Sequence, residues 1–481
     1  MPGESAPSRG HRRTKIVATV GPATHDADTL EELIRAGADV LRINFSHATA
    51  DEHARRIAAV RDAAARVGVE VGVLGDLPGP KIRIGDVAGD VVELENGSEL
   101  TLTTEGVVGT AERLPVSWSG LASAVNEGDT VYMADGRIRL RCVEPSSGEV
   151  RCEVEAGGPV ASHQGLNLPG VDVGLPAAGE HDLEWVDFAV SEGVDLLAVS
   201  FVRTRDDLRP VEQRLAERDS DIPLIAKIEK PQGAENAEEI ARAALSGIMV
   251  ARGDLGIEVP IASIPALQKR LIRLAGRESK PVITATQMLA SMVTSPRPTR
   301  AEVTDVANAI YDGTDAIMLS EETAVGEHPV EAVRVMDGIA RETEPDLPYG
   351  DWLFNRVRTD AEDVAGSVAR AAVGSTYTLG LTALVVPTRS GRTARLVSAH
   401  RPRVPVLAVS PRPETVRRLN LLFGVRCVAS PHREDFHDLL HDCARLAGEY
   451  GVARTGDLVG ITAGLPGQGL GTNLFEVHRV P

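Results

Sequence analysis

From Thr14 to about Ile339 the chain repeats one unit: a short β-branched run, a polar loop, then an amphipathic helical stretch. Strand-like runs fall at 14–20, 39–45, 70–76, 194–200, 222–229, 247–251, 281–286 and 315–319. Helical patterns lie near 28–37, 50–67, 182–192, 204–218, 234–245, 263–278, 299–311 and 328–341. Parallel strands need a crossover long enough to bring the chain back, and eight such units in succession are what a (β/α)8 barrel requires. Between about 79 and 170 the helical period disappears. Short alternating strands replace it (Glu99–Thr103 and Arg137–Cys142 among them), separated by Asn-Gly, Glu-Gly and Asp-Gly turns. This predicts a small all-β barrel domain inserted after the third barrel strand, well placed to act as a lid. After Pro345 a third unit begins, with strands at 382–388, 404–410, 425–430, 457–463 and 474–480 among helices. The expected organisation is therefore α/β: a flexible N-terminal tail over 1–12, a catalytic TIM barrel over 13–78 and 171–343, an inserted β lid over 79–170, and a C-terminal α/β sheet domain over 344–481.

Composition narrows the class. At 481 residues the chain is too long for one ordinary core. The formal net charge of −18 argues against nucleic acid as the main partner. No run of eighteen apolar residues occurs, so no membrane span is expected. The first thirteen residues lack the apolar core of a signal peptide. Cys142, Cys152, Cys427 and Cys443 form no metal-binding spacing. A reduced, cytoplasmic setting is expected.

The strand ends carry the chemistry. In such barrels the active groups sit at the C-terminal ends of the strands, and here those ends are polar: Arg42, Asn44 and Ser46 on one face of a run ending at His47; Asp76; Ser200 to Arg203; Lys227 and Glu229; Arg252 to Asp254; Thr284 and Thr286 on one face; and Ser320 to Thr323. Lys227 and Glu229 leave one side of a buried strand roughly 7 Å apart, which is costly unless a ligand, metal or partner uses them. Lysines number only six among 51 basic residues, the rest being arginine. An ammonium kept at this place points to a need for a compact point charge rather than a planar fork. Glu229 and Asp254 are hard oxygen ligands from successive strands, suited to Mg2+ or Mn2+. Gly253 allows close backbone approach, and Lys227 and Arg42 would hold a phosphoryl group. The set fits phosphoryl transfer, which is mostly positioning and charge neutralisation. The alternatives are a Mg-dependent lyase or aldolase acting on a pyruvate enolate, and a non-catalytic effector-binding protein.

Nearly the whole chain resembles the pyruvate kinase family. The motifs that carry the resemblance are Arg13–Pro22, Asn44-Phe45-Ser46-His47, Ile225–Gly233, Met249–Pro260, Thr284–Met292, Pro296–Glu322, Gly471-Thr472-Asn473 and Val477-His478-Arg479. The resemblance implies transfer of phosphate from phosphoenolpyruvate to ADP, giving pyruvate and ATP. It implies Glu229 and Asp254 as metal ligands, Lys227 stabilising the migrating phosphoryl and Arg42 holding it. The backbone at Gly253 and Asp254 would receive the substrate carboxylate, with Thr286 beside the protonated carbon. His47 and Arg83 fall on the nucleotide side. A homotetramer is expected on the same ground.

Some positions depart from the family pattern. Relatives that bind K+ use oxygens equivalent to Asn44, Ser46, Asp76 and a Thr, here Leu77, and carry Glu where this chain has Lys81. A lost hydroxyl and a gained ammonium imply that Lys81 supplies the monovalent charge, so that no K+ is required. Gln164 stands where a basic residue is common, Gly174 where an Asp is common, and Glu321 replaces a common Gly. In the C-terminal domain Thr388-Arg389-Ser390-Gly391-Arg392-Thr393 opens a helix, and hydroxyls with free amides at a helix N-terminus form a phosphate pocket. The resemblance makes this an allosteric site for a phosphorylated effector.

Overall fold

The computed structural model describes residues 12–134, 136–171, 173–243, 246–358, 363–464 and 471–481. Eight parallel strands form its centre: β1 (Lys15–Thr19), β2 (Val40–Asn44), β3 (Gly72–Asp76), β4 (Leu196–Val199), β5 (Leu224–Ile228), β6 (Gly247–Ala251), β7 (Val282–Ala285) and β8 (Ala316–Leu319). They close into a barrel in which each strand pairs with its neighbours in sequence and β8 returns to β1, Lys15 lying opposite Ala316. The strands alternate strictly. Val17, Val40, Leu74, Leu196, Ala198, Ile225, Met249, Ile283, Ala285, Ala316 and Met318 fill the interior, joined by Leu421 from the C-terminal domain. The intervening residues (Ile16, Leu41, Val73, Leu197, Ala226, Ile248, Val282, Ile317) pack outward on the helices. A strand buried on both faces has to read as a continuous apolar run, and these do.

Helix ends follow from local chemistry. Thr49 and Thr299 each cap a helix in a reciprocal box with the Glu three residues on, Glu52 and Glu302. The helix expected over 204–218 instead divides into a 3-10 turn, Arg205–Leu208, and a helix, Arg209–Glu217, with Pro210 in its first turn. The helix expected over 234–245 likewise divides into Pro231–Glu235 and Ala237–Arg242, and residues 244–245 lie outside the described residues.

Three aspartates anchor the N-terminal end of the barrel. Asp39, Asp195 and Asp315 each stand just before a strand and accept a backbone N–H from the adjacent one, at Ile16 (2.9 Å), Val73 (2.8 Å) and Val282 (3.0 Å). Each also holds arginine. Arg12 reaches Asp39 at 2.8 Å and Arg61 reaches Asp195 at 2.7 Å. Arg417 and Arg401 come from the C-terminal domain to Asp195 and Asp315, both at 2.7 Å. Residues 1–11 of the expected tail lie outside the described residues. Arg12, which that tail included, is instead fixed between Asp39 and Asp337.

The inserted segment folds as a seven-stranded sheet and a two-stranded one. Leu100, Leu102, Leu114, Val131, Leu140 and Val150 lie in its core. Ile82–Arg83, where the chain enters, pairs antiparallel with Gly165–Asn167, where it leaves. Cys142 and Cys152 face each other across this sheet as free thiols. The C-terminal domain is a five-stranded sheet of β9 (Ala383–Pro387), β10 (Val406–Ser410), β11 (Val425–Ala429), β12 (Leu458–Ala463) and β13 (Leu474–Arg479). Its order is β11-β10-β9-β12-β13, parallel except for the last pair. Among the described residues no helix is long and apolar enough to cross a membrane.

Candidate active site

Above the apolar filling, the C-terminal mouth of the barrel turns polar. The inward register places Thr19 opposite Arg42, and Asn44 and Ala198 opposite Asp76. Lys227 and Glu229 continue the inward face of β5 beyond Ile225. These side chains form one network. The Lys227 ammonium lies 2.9 Å from Glu229 Oε1 and 3.1 Å from Asp76 Oδ1, and donates to Ser200 Oγ at 2.7 Å. Asp76 Oδ2 accepts from Arg42 Nε at 2.7 Å, and Arg42 Nη1 donates to Thr19 Oγ1 at 3.1 Å. Glu229 Oε2 accepts the Phe201 N–H at 2.7 Å.

Burial and charge set the protonation states. Desolvation pulls the Lys227 ammonium down, but Asp76 and Glu229 more than offset it, and its pKa ends above the ordinary value. Burial pushes the Asp76 carboxyl up, yet Lys227 and Arg42 outweigh it and hold it below the usual range. Lys227 is therefore a fixed cation at neutral pH. Glu229 is raised, first by burial, against which Lys227 acts, and then by the nearby Asp254 and Asp76 carboxylates. Asp254 sits half-buried in the first turn of the helix Arg252–Glu258. Two carboxylates close enough for Asp254 to act on Glu229 at the barrel mouth fit a hard divalent cation. Among the described residues no cluster of three or more His, Cys, Asp or Glu side chains forms a metal cage. A two-carboxylate site completed by substrate oxygens and water is the arrangement Mg2+ favours.

Thr286 reaches the rim by a different route from the one expected. Alternation predicts Thr284 and Thr286 on one inward face. Thr284 is fully buried on the outer side of β7, where it donates to Thr314 Oγ1 at 3.0 Å. The chain then turns at Thr286 and Gln287, with φ of 70° and 53°. A β-branched residue in the left-handed region is strained and needs bracing. Arg252 supplies it, donating to the carbonyls of Ala285 (3.2 Å) and Thr286 (2.8 Å) while Asp305 holds its other nitrogen at 2.7 and 2.8 Å. Glu322, also buried, accepts the N–H groups of Leu289 and Ser320 at 3.0 and 2.7 Å. In this geometry the Gly253 N–H donates to Thr286 Oγ1 at 2.7 Å, so the two residues expected to touch substrate already touch each other.

The remaining candidates divide. His47 is exposed, and its pKa is lowered by partial burial and by Arg83, Lys81 and Arg42, which places three cations around it. Arg83 donates to the His163 carbonyl at 3.0 Å. Asn44 Oδ1 accepts the Ser46 N–H at 3.2 Å, beside Asp76. Lys81 stands apart from these three. It lies against Gly165, where an added Cβ would come within 2.6 Å of its Cε, and it lines a cleft between the inserted β domain and the barrel with Phe201, Arg203 and Lys230. Among the described residues it forms no ion pair with Asp76. Gln164 accepts the Ile84 N–H at 2.8 Å through its backbone, Gly174 takes a φ of 60°, and Glu321 is exposed at the start of a four-residue helix. In the C-terminal domain Thr388 Oγ1 accepts the Gly391 N–H at 3.0 Å, and Gly391 caps the helix Arg392–Ala399 with φ 81°. Thr393 bonds Thr472 at 2.7 Å, while Arg389, Ser390 and Arg392 are exposed.

Thr19 and Arg252 gained no role from the sequence. Thr19 carries a signal, because it shares the inward register of β1 with Val17. The part Arg252 plays depends on Asp305, far along the chain, and has no local signature.

Comparison with known proteins agrees with this architecture. Residues 11–333 match the family model for the pyruvate kinase barrel domain, and residues 366–478 match that for the pyruvate kinase alpha/beta domain. The pyruvate kinase of Geobacillus stearothermophilus is 43% identical over 473 residues, covering 98% of this chain and 80% of its own. That of Thermococcus litoralis is 41% identical over 477 residues, covering 98% and 99%. Among solved structures, a pyruvate kinase from Cryptosporidium parvum superposes with a TM-score of 0.91 at 35% identity, covering 98% of this chain and 97% of that one.

Proposed function

Because this chain belongs to the pyruvate kinase family and is a phosphotransferase, we propose that it transfers the phosphoryl group of phosphoenolpyruvate to ADP, yielding pyruvate and ATP. The observation that carries the reading is the Lys227 ammonium, held by Asp76, Glu229 and Ser200 at the barrel mouth. A phosphoryl group in flight asks little covalent chemistry of a protein and much fixed positive charge. Lys227 supplies that charge without reorganising, since three partners already fix its Nζ. Arg42, anchored through Nε and Nη1, has its other terminal nitrogen without a partner among the described residues and offers it to the phosphoryl oxygens. Thr286, turned inward by its backbone and braced by Arg252, stands on the carboxylate side with Gly253 and Asp254. Its hydroxyl is placed to orient the water or group that protonates the enolate. His47 and Arg83 face the nucleotide. Glu229 and Asp254 would hold Mg2+ or Mn2+, which when bound neutralises phosphoryl and substrate oxygens.

The reading extends to the monovalent ion. Asp76 is already opposed by two cations, and Lys81 adds a third positive charge near His47. The enzyme is accordingly read as K+-independent. A coupled assay with phosphoenolpyruvate, ADP and Mg2+ in tetramethylammonium buffer is expected to give full turnover, with less than about twofold stimulation by KCl. Many-fold stimulation sinks the K+ reading, and no turnover in either salt sinks the kinase reading.

The loop Thr388–Thr393 is read as the site of a phosphorylated activator. Arg392→Glu is expected to abolish activation by any such effector and to leave the unactivated rate intact. Activation of Arg392→Glu equal to that of the parent in an effector screen at sub-saturating phosphoenolpyruvate discards it. The assembly is read as a homotetramer in the cytoplasm.

A further inference from the structure

At the opposite end of the barrel, where it meets the C-terminal domain, lies a second concentration of positive charge. A narrow cleft runs between the loop Gly276–Pro281 ahead of β7, Asp315 ahead of β8, and the helix Arg392–Ala399 with the residues following it. Arg356, Arg395, Arg401 and Lys280 line it, with Asp315 as the acid among its walls. Arg356 is 7% exposed and Arg401 is fully buried.

The charges do not balance. Both Asp315 oxygens are taken by Arg401, at 2.7 and 2.8 Å, and one also accepts the Val282 N–H. Among the described residues the Arg356 side chain has one hydrogen bond, to the Gly313 carbonyl at 2.9 Å, and it lies 5.6 Å from the Trp352 ring centre. Among the described residues Arg395 has no side-chain partner. The Nε atoms of Arg356, Arg395 and Arg401 are all buried and without acceptors. Lys280 donates to the Ala243 carbonyl at 3.1 Å. The electrostatics record the same excess. Burial and then Arg401 pull the Arg356 guanidinium down to about 9, burial and then Arg395 pull the Lys280 ammonium down to about 8, and Arg395 is lowered by burial and then Arg392. Asp315 and Glu278 act against this, on Arg356 and Lys280 respectively. A guanidinium does not readily shed its proton, so the excess calls for a counter-ion.

The seat is built rather than incidental. A Cβ at Gly276 would meet Arg356 Cζ at 3.0 Å, and one at Gly313 would meet Arg356 Nη1 at 2.5 Å. Both glycines therefore make room for the guanidinium. The cleft is too small to enclose a whole metabolite, so only a small group can enter it. We propose that it binds one tetrahedral oxyanion between Arg356 and Arg395, either a free phosphate or sulfate or the phosphate group of a monoester whose remainder stays in solvent. It is separate from the Thr388–Thr393 loop. The helix Arg392–Ala399 presents its N-terminus to that loop and its later residues to the cleft, and β7 begins beside the cleft and leads to Thr286.

Two measurements on the full-length protein test this. Crystals soaked in selenate are expected to show an anomalous selenium peak in the cleft within hydrogen-bond reach of Arg356 and Arg395; no peak there overturns the proposal. In solution at constant ionic strength, the thermal midpoint is expected to rise saturably with inorganic phosphate. Arg392→Glu should retain the part of this gain due to the cleft, and Arg395→Met should lose it. A gain in Arg395→Met equal to the parent's, or a selenium peak with no saturable gain (an adventitious ion only), overturns it as well. Glycerol phosphate identifies the source: a gain at lower concentration than inorganic phosphate assigns the site to a monoester, and the reverse order assigns it to the free ion.

Discussion

Replacing Lys227 with methionine is expected to lower turnover by about a thousandfold or more while substrate affinity stays near that of the parent. Methionine keeps the apolar stem of the side chain within β5 and removes only the charge. That charge is already present when substrate is bound, but it counts most when the phosphoryl group lies between two oxygens, so its loss falls on kcat rather than on binding. Removing one preorganised electrostatic contact of this type costs about 10²–10³ in turnover, and Lys227 is a full charge rather than a dipole. A second effect adds to the first. Without the ammonium, Asp76 and Glu229 face each other buried, and one of them takes up a proton, which loosens Arg42 from Asp76. Steady-state kinetics with phosphoenolpyruvate, together with calorimetric binding of the same substrate, separates the two quantities. A turnover within tenfold of the parent rules out Lys227 as the stabilising charge.

Arg401→Met is expected to destabilise the protein by roughly 3–5 kcal/mol, the usual cost of leaving one member of a buried ion pair unpartnered. Arg401 is fully buried, pairs with both oxygens of Asp315 and stacks 4.3 Å from the centre of the Phe423 ring. Its removal strands Asp315, which still accepts the Val282 N–H, beneath the barrel floor. Guanidinium unfolding followed by circular dichroism measures the loss, and calorimetry reports whether the C-terminal domain then melts first. A change below about 1 kcal/mol contradicts the assignment. The double variant Arg401→Met, Asp315→Asn should recover part of the loss, because neither charge is then left unpaired.

Much of this was legible in the chain. Barrel strands need apolar residues on both faces, so each of the eight appears as a β-branched run within a residue or two of its observed bounds, and the point where the period vanishes marks the inserted β domain. The meeting of Lys227 with Glu229 was readable because both leave one side of a buried strand, where two charges are expensive unless paired or used. What was not legible shares one physical cause. Thr286 faces the rim only because Arg252 and Asp305 hold its backbone at positive φ, and the alternation that located every other inward residue misplaced Thr284 for the same reason. Lys81, read as the internal monovalent charge, lies against Gly165 because Ile82–Arg83 pairs with Gly165–Asn167, a contact across about eighty positions that no local pattern announces. Asp39, Asp195 and Asp315 show no sign of their roles until their arginine partners, one of them 222 positions away, come into contact. Periodicity reports which way a residue points along its own strand, and says nothing of which distant cation it will meet.

Leu421 belongs to the C-terminal domain yet completes the apolar filling of the barrel. The barrel is thus a vessel whose stopper is carried by its neighbour, and a fragment ending near residue 343 would have an open base, with Asp315 stripped of its arginine and Asp195 left with Arg61 alone. Grafting a foreign C-terminal domain onto this barrel will succeed only where the donor brings a matching leucine and both arginines.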